Sequence, residues 1–305
     1  MSFCVPTYNR AEYIGRCMES LLSYPGDDIE IIVRDNHSVD ATEEIMGRYR
    51  DPRISFRKNS ENLGLVKNYL QIIEDASGDY VYVLTDDDYL LPGSVPVLKT
   101  FIEQYRPDAF ITDKFCYLIK SKKLLLLSAS TESKPPGCMT AAEWAHFMIC
   151  ATAFTSVCFR KSRLDLDVLK KQVGDNLYPS MVLCGLFGRQ VAYLAVPTAV
   201  HTWENETFWG VAHDCRVVLN QHLYGALCSI RSFCDEPFFH ELAKLFYRKG
   251  YVQEEVLFQF LPSEMATAYR RKILVDKKLK KLRAYYDRLE AFPRRVLAKV
   301  LRCLL

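Results

Sequence analysis

Asp86, Asp87 and Asp88 are three consecutive carboxylates that directly follow an apolar run, Tyr80-Val81-Tyr82-Val83-Leu84, and Thr85. At the end of a buried strand such charges repel one another strongly unless a cation or solvent lies between them. A hard divalent ion such as Mg²⁺ or Mn²⁺ takes oxygen ligands, needs only one or two protein carboxylates, and fills its other positions with water and substrate phosphates. Residues 86 and 88 alternate and can aim at one ion while Asp87 faces elsewhere; a solvated acidic turn is the plainer use of the same residues. Asp35 follows the run Ile29 to Val33. Its position suits acceptance from a nucleobase imide or a ribose hydroxyl, or else a turn cap, for which Asp40 is better placed. Thr7-Tyr8-Asn9-Arg10 is a third polar cluster after an apolar run. Asn62-Leu63-Gly64-Leu65-Val66-Lys67-Asn68 enters a helical pattern through a glycine, which lets backbone approach a nucleotide closely. Lys67 there suits a phosphate partner or a solvated helix position equally.

These residues need a frame to bring them together, and the first third of the chain supplies one. Phe3-Cys4-Val5 reads as a strand, and Ile14, Cys17, Met18, Leu21 and Leu22 then fall at helical spacing, opened by Asn9 with Glu12 as a capping box. Ile29 to Val33 is a second strand, followed by a helix that Asp40 and Glu43 cap in the same way. Ile54 to Arg57 is a third, and Val66, Tyr69, Leu70 and Ile73 form the buried stripe of the next helix. Tyr80 to Leu84 is continuously apolar or aromatic, as a strand covered on both faces should be. Strands alternating with helices imply an open, mostly parallel sheet with helices on both faces, and such sheets bind ligands beyond the carboxyl ends of their strands. All three polar clusters stand at such ends. Further on, Lys114 to Leu127 reads as a hairpin, and Thr140 with Glu143 caps a short helix. Ser156 to Phe159 and Val191 to Val196 read as strands, and Leu177 to Phe187 as a helix. After about Val211 only helical patterns remain, among them Leu219 to Cys234 and Phe239 to Tyr247, so a helical appendage is expected over 210–305.

Composition narrows the class of protein. Of 305 residues, 49% are hydrophobic and 25% charged, which is ordinary globular material and excludes disorder as the main state. No apolar run reaches the roughly 20 residues that span a bilayer, and the first residues lack the pattern of a signal peptide, so a cytoplasmic location is expected. The eleven cysteines are scattered without a C-x-x-C pair and read as reduced core thiols. Net charge is +3, unevenly distributed: Arg270 to Arg302 holds thirteen Lys and Arg against three acids, a local +10 that leaves −7 elsewhere.

Val5-Pro6-Thr7-Tyr8-Asn9-Arg10, then Ile31 to Thr42 with Asp35-Asn36-His37-Ser38-Val39-Asp40, then Glu61-Asn62-Leu63-Gly64, then Thr85-Asp86-Asp87-Asp88 resemble the family 2 glycosyltransferases. Order and spacing match from Met1 to about Leu98. The resemblance implies an A-type nucleotide-sugar-binding α/β fold, a D-x-D motif holding Mn²⁺ or Mg²⁺ on the diphosphate, and inversion at the anomeric centre. Carried over by position, Pro6, Thr7 and Tyr8 lie against base and ribose with Asn9 beside them, Asp35 binds the base, and Asn62, Gly64 and Lys67 wall the nucleotide. Asp86, with Asp87 beside it, contacts ribose or sugar, and Asp88 the metal, with Asp86 near it. His37 stands where the family commonly has Gly. The general base for an inverting transfer is implied at Asp175 of Gly174-Asp175-Asn176-Leu177, where Gly174 replaces the usual acid; a helix N-cap is the other use of Asp175. In A-type folds a late His completes the metal shell, which nominates His201, a residue equally suited to a structural role. Trp203 and Trp209 flank a polar stretch and suit stacking on a sugar or packing.

The expected organisation is a catalytic domain over 1–209, with its nucleotide-binding part at 1–98 and acceptor part at 99–209, followed by the appendage. The expected function is metal-dependent, inverting transfer of a sugar from a nucleoside-diphosphate donor, a UDP-sugar first, to a hydroxyl of a glycan or lipid-linked acceptor. The motifs resemble those of bacterial enzymes of surface-polysaccharide synthesis. A nucleotidyltransferase would carry a Gly-rich, basic triphosphate loop, which Thr7-Tyr8-Asn9-Arg10 is not. A catalytically silent nucleotide-sugar-binding or membrane-surface module is the alternative, separated from the enzyme by metal-dependent donor hydrolysis. No nucleic-acid partner is expected. In the tail, Val296, Leu297, Val300, Leu301 and Leu304 share a helical face opposite Arg295, Lys299 and Arg302. That face suits the anionic inner surface of the plasma membrane, the appendage, or a second subunit of a homo-oligomer.

Overall fold

The structure, a computed structural model, describes residues 1–128, 131–137, 155–164, 166–167, 190–203 and 236–248, together with 261, 265–267 and 277. The chain divides into two compact units, Met1–Gln253 and Glu254–Leu305.

The first unit opens with β1 (Ser2–Thr7), α1 (Ala11–Leu22), β2 (Glu30–Asp35), the short α2 (Thr42–Met46), β3 (Ile54–Lys58), α3 (Leu65–Asp75) and β4 (Tyr80–Val83). It continues through β5 (Tyr89–Leu90), α4 (Ser94–Tyr105), the hairpin β6 (Ala109–Leu118) and β7 (Lys123–Leu127), β8 (Val157–Arg160), β9 (Val191–Trp203) and α5 (Glu236–Arg248). The nine strands form one sheet in the order β3-β2-β1-β4-β8-β6-β9-β5, with β7 paired to β6. β3, β2, β1 and β4 are mutually parallel, whereas β8 is antiparallel to β4 and β6, and β6 runs parallel to β9. The β4 strand is buried on both faces, as its unbroken apolar run requires.

Alternation within the strands assigns the two faces. Phe3, Val5, Ile31, Val33 and Tyr82 share one core with Ile14, Cys17, Met18 and Leu21 of α1 and Val95, Leu98 and Phe101 of α4. Each such side chain contributes about 1.5–3 kcal/mol on burial. On the opposite face the Cys4 thiol donates to the Ile72 carbonyl of α3 at 3.6 Å. Cys4, Cys17, Cys116 and Cys158 are buried thiols outside any disulfide.

Two expected caps differ from what forms. Asn9 does not cap α1: Arg10 holds the cap position, and no cap side chain bonds back. Asn9 instead adopts φ 52°, and its Oδ1 accepts from the Val39 N–H at 2.9 Å. The start of α1 is met from the neighbouring loop, where Thr42 Oγ1 accepts from Arg10 N–H and Asp40 Oδ2 from Ala11 N–H, both at 3.0 Å. Asp40 also accepts from the Thr42 N–H at 3.0 Å, but Glu43 pairs with Lys58 rather than closing a capping box. Tertiary neighbours have taken over what local spacing would do, because two loops at one sheet edge present donors and acceptors to each other.

Candidate active site

β2, β1 and β4 are neighbours and point the same way, so the clusters that follow them share one edge. Thr7 is the register partner of Asp35, and Asp86 comes three residues after β4. Asp35 is fully buried. Its Oδ1 accepts from both the backbone N–H and the hydroxyl of Ser38, while its Oδ2 is buried with no hydrogen-bond partner among the described residues. One oxygen anchored and one left open is what a carboxylate needs to receive an N–H from a base, since an unmet buried acceptor costs about 1–3 kcal/mol until a ligand satisfies it. Pro6 and Thr7 lie below it in β1, half-buried and buried, and Tyr8 stands 41% exposed beside them.

His37 answers the departure from glycine at that position. It sits at φ 70° in the left-handed region, where histidine is one of the better-tolerated side chains, and its exposed ring places Nδ1 3.2 Å from the Asn59 carbonyl. The loop therefore keeps the backbone that glycine would give.

The three aspartates divide their tasks. Asp86 is buried and its carboxylate lies 3.6 Å from Arg10 Nε. Burial, and next the Asp87 charge, push its carboxyl up to about 8 against the opposing pull of Arg10. Asp88 is wholly buried. Its Oδ1 accepts from Thr202 N–H at 2.7 Å, and its Oδ2 accepts from the hydroxyls of Thr85 and Thr155 and lies 3.0 Å from His201 Nδ1. Burial alone would raise this carboxyl; the His201 charge, then hydrogen bonds from His201, Thr155 and Thr85, hold it below its ordinary value. Arg16 braces the same turn, donating to the Asp87 carbonyl at 2.9 Å and to Thr202 Oγ1 at 3.1 Å across the ring of Tyr89.

The residues present fit a divalent ion. The Asp88 Oδ2 to His201 Nδ1 separation of 3.0 Å is that of a hydrogen bond, so an ion bound by both would take the place of that bond. A carboxylate with an imidazole is a donor set suited to Mn²⁺. The hydroxyls of Thr85 and Thr155 are 2.8 Å from each other, so either can turn from Asp88 to its neighbour. Among the described residues no group of three or more His, Cys, Asp or Glu could hold a metal ion, so most of the shell would have to come from water and substrate phosphates.

Asn62 and Gly64 are exposed at the start of α3, with Gly64 at φ 79°, and Lys67 is an exposed residue of its first turn. What holds this segment is a ladder of buried amides that the sequence reading missed. Asn36 donates to Asn62 Oδ1 at 2.7 Å and accepts from Leu63 N–H at 2.9 Å and Asn59 at 3.1 Å; Asn59 in turn donates to Asn68 at 2.9 Å. No spacing marks these asparagines; only their number around positions 36, 59, 62 and 68 hinted at a network. Asn36→Ala leaves the buried Asn59 amide and the half-buried Leu63 N–H without this acceptor, so urea unfolding is expected to show a loss of about 1–3 kcal/mol, with weaker donor binding as the 62–64 segment loses its tether. An unchanged unfolding midpoint would deny the ladder this role.

His201 ends up beside Asp88 and Trp203 closes β9. Asp175 and Trp209, with the helices expected at 140, 177–187 and 219–234 and the basic tail, lie outside the described residues.

Comparison with known proteins gives the frame its relatives. A stretch of 119 residues is 37% identical to abequosyltransferase RfbV of Salmonella typhimurium, covering 37% of this chain and 35% of that protein. Another of 122 residues is 30% identical to the uncharacterized glycosyltransferase MG060 of Mycoplasma genitalium, covering 38% and 41%. The matched part thus spans well under half the length of these relatives. In three dimensions the chain is similar to the Staphylococcus aureus protein TarS in complex with UDP-GlcNAc, with TM-score 0.62, 17% identity and coverage of 81% of this chain and 72% of that one. It is also similar to the mannosyltransferase PcManGT of Pyrobaculum calidifontis in complex with GDP-Man and Mn²⁺, with TM-score 0.55, 16% identity and coverage of 93% and 82%. Both likenesses are of fold. Residues 2–162 match the model of glycosyl transferase family 2, slightly more than half of the sequence, and the chain belongs to that family.

Proposed function

We propose that this protein is a metal-dependent, inverting glycosyltransferase of surface-polysaccharide synthesis, moving a sugar from a nucleoside-diphosphate donor to a hydroxyl of a glycan or lipid-linked acceptor. The observation that carries this reading is the placement of the open Asp35 oxygen, buried Asp86 and the Asp88–His201 pair at the carboxyl-end edge of the same sheet. Asp35 Oδ2 accepts an imide N–H of the base, for which uracil is the first choice, and Tyr8 covers the ring. Asp86, with Arg10 against it, meets the ribose or sugar. Asp88 and His201 would hold Mn²⁺ or Mg²⁺, and the ion would supply charge stabilisation to the departing diphosphate. Asp175 takes the proton of the acceptor hydroxyl on the face opposite the leaving group, as inversion demands. The domain over 1–209 carries this chemistry, with acceptor selection in 99–209 and the appendage beyond.

The test is release of nucleoside diphosphate from a panel of nucleotide sugars with and without chelator, since a silent binding module releases none. No helix among the described residues is long and apolar enough to cross a membrane. The basic amphipathic tail provides peripheral attachment at the inner face of the membrane, each basic residue near the surface being worth about 1 kcal/mol. Vesicle binding should therefore fall when the chain stops near Ser263, and equal binding would return the tail to packing against the appendage or a second subunit.

A further inference from the structure

The β6–β7 hairpin breaks a rule that the rest of the sheet obeys. Every residue from Lys120 to Leu126 is exposed, and these seven comprise Lys120, Ser121, Lys122, Lys123, Leu124, Leu125 and Leu126, with no acid among them. Successive residues of a strand point to opposite faces, so Leu124 and Leu126 line one face of β7 and Leu125 the other. They are exposed by 56%, 54% and 46%, which leaves the strand apolar and, among the described residues, uncovered on both sides. Edge strands of water-soluble sheets are normally blunted by charge along their length; here the lysines are gathered at the tip, where Lys122 makes the turn at φ 55°.

We infer that this hairpin is a docking element for an anionic lipid surface, its leucines entering the apolar margin and its lysines meeting the headgroup charge. Charge complementarity selects this occupant: a second copy of the chain would bring Lys122 and Lys123 against themselves, whereas anionic headgroups neutralise them. The register gives the placement a purpose. Cys116 of β6 lies opposite His201 of β9, and the two strands are parallel, so the hairpin tip extends beyond the same sheet end that carries the Asp88–His201 pair. The three to six residues from Cys116 to the turn correspond to about 10–20 Å of extended chain. A surface gripped by this tip would thus lie near the mouth of the site, where a lipid-linked acceptor presents its hydroxyl.

The purpose rests on the proposed acceptor class, but the binding does not. Sedimentation of the full chain with phosphatidylcholine vesicles, with and without phosphatidylglycerol, tests it. The parent should bind only the anionic vesicles, and less at high salt. Leu124→Ser/Leu126→Ser and, separately, Lys122→Glu/Lys123→Glu should each weaken binding by about tenfold or more with the tail intact, while thermal midpoint and donor hydrolysis stay at parental levels. Parental vesicle binding by both folded variants would overturn the inference. So would loss of a concentration-dependent dimer in the leucine variant with vesicle binding unchanged, which would make the strand a self-association edge. Donor hydrolysis that persists while vesicle binding is absent would refute the surface alone, and absent hydrolysis with intact vesicle binding would refute the enzyme reading alone.

Discussion

Replacing Asp88 with alanine is expected to reduce metal-dependent release of nucleoside diphosphate by about 10²–10³-fold, equivalent to about 3–4 kcal/mol of transition-state stabilisation. The reason is that, on the proposed reading, the charge developing on the leaving diphosphate would lose the ion that Asp88 and His201 would hold against it. The structure adds a second consequence. Asp88 is the shared acceptor of Thr202 N–H, the hydroxyls of Thr85 and Thr155, and His201. Its removal strands a buried backbone donor and also costs about 1–3 kcal/mol of stability. Asp88→Asn separates the two effects, because the amide oxygen can still accept from Thr202 while the charge is gone. Expected results are a smaller fall in midpoint for the asparagine variant, whose Nδ2 replaces the oxygen that accepted from Thr85, Thr155 and His201, than for alanine, and loss of turnover in both. Full turnover by the chelated parent, or by the folded asparagine variant, would remove the metal from the mechanism.

Asp175→Asn is expected to lower transfer to acceptor by about 10²-fold or more, the usual scale for removal of a general base. Donor affinity should remain close to parental, because a base that acts on the acceptor contributes little to ground-state binding of the nucleotide sugar. The separation of an unchanged donor Kd from a collapsed kcat is the signature to measure, by calorimetry with the donor and by product formation with acceptor present. Retained turnover in the asparagine variant would move the base to another acid of the acceptor-binding part.

The strands and helices of the first hundred residues were legible because their signals are local. Apolar runs at Phe3 to Val5, Ile29 to Val33 and Tyr80 to Leu84 became β1, β2 and β4, and the stripe at Ile14, Cys17, Met18 and Leu21 became the buried face of α1. The clusters at the ends of these strands were legible for the same reason, since a parallel sheet places successive strand ends on one edge wherever the strands pair. The caps were misread: Asn9 with Glu12 has the spacing of a capping box, yet Asp40 and Thr42 from another loop serve α1. A cap is a competition between near and distant partners, and sequence spacing sees only the near ones.

By itself the sequence determined the alternating architecture, the carboxylates offered at its edge and the apolar hairpin from Lys114 to Leu127, because each is a pattern within about ten residues. It also nominated His201, but not what His201 would touch. Only the tertiary structure decided that Asp88 meets Thr155, His201 and Thr202, residues 67, 113 and 114 positions away. The same holds for Asn36 as the tether of the 62–64 segment and for the exposure of Leu124, Leu125 and Leu126 on both faces of β7. The physical reason is common to all three. Strand order β4-β8-β6-β9 is set by packing of the whole sheet, and hydrogen-bond partners and uncovered faces follow from which strands become neighbours. No period along the chain records that choice.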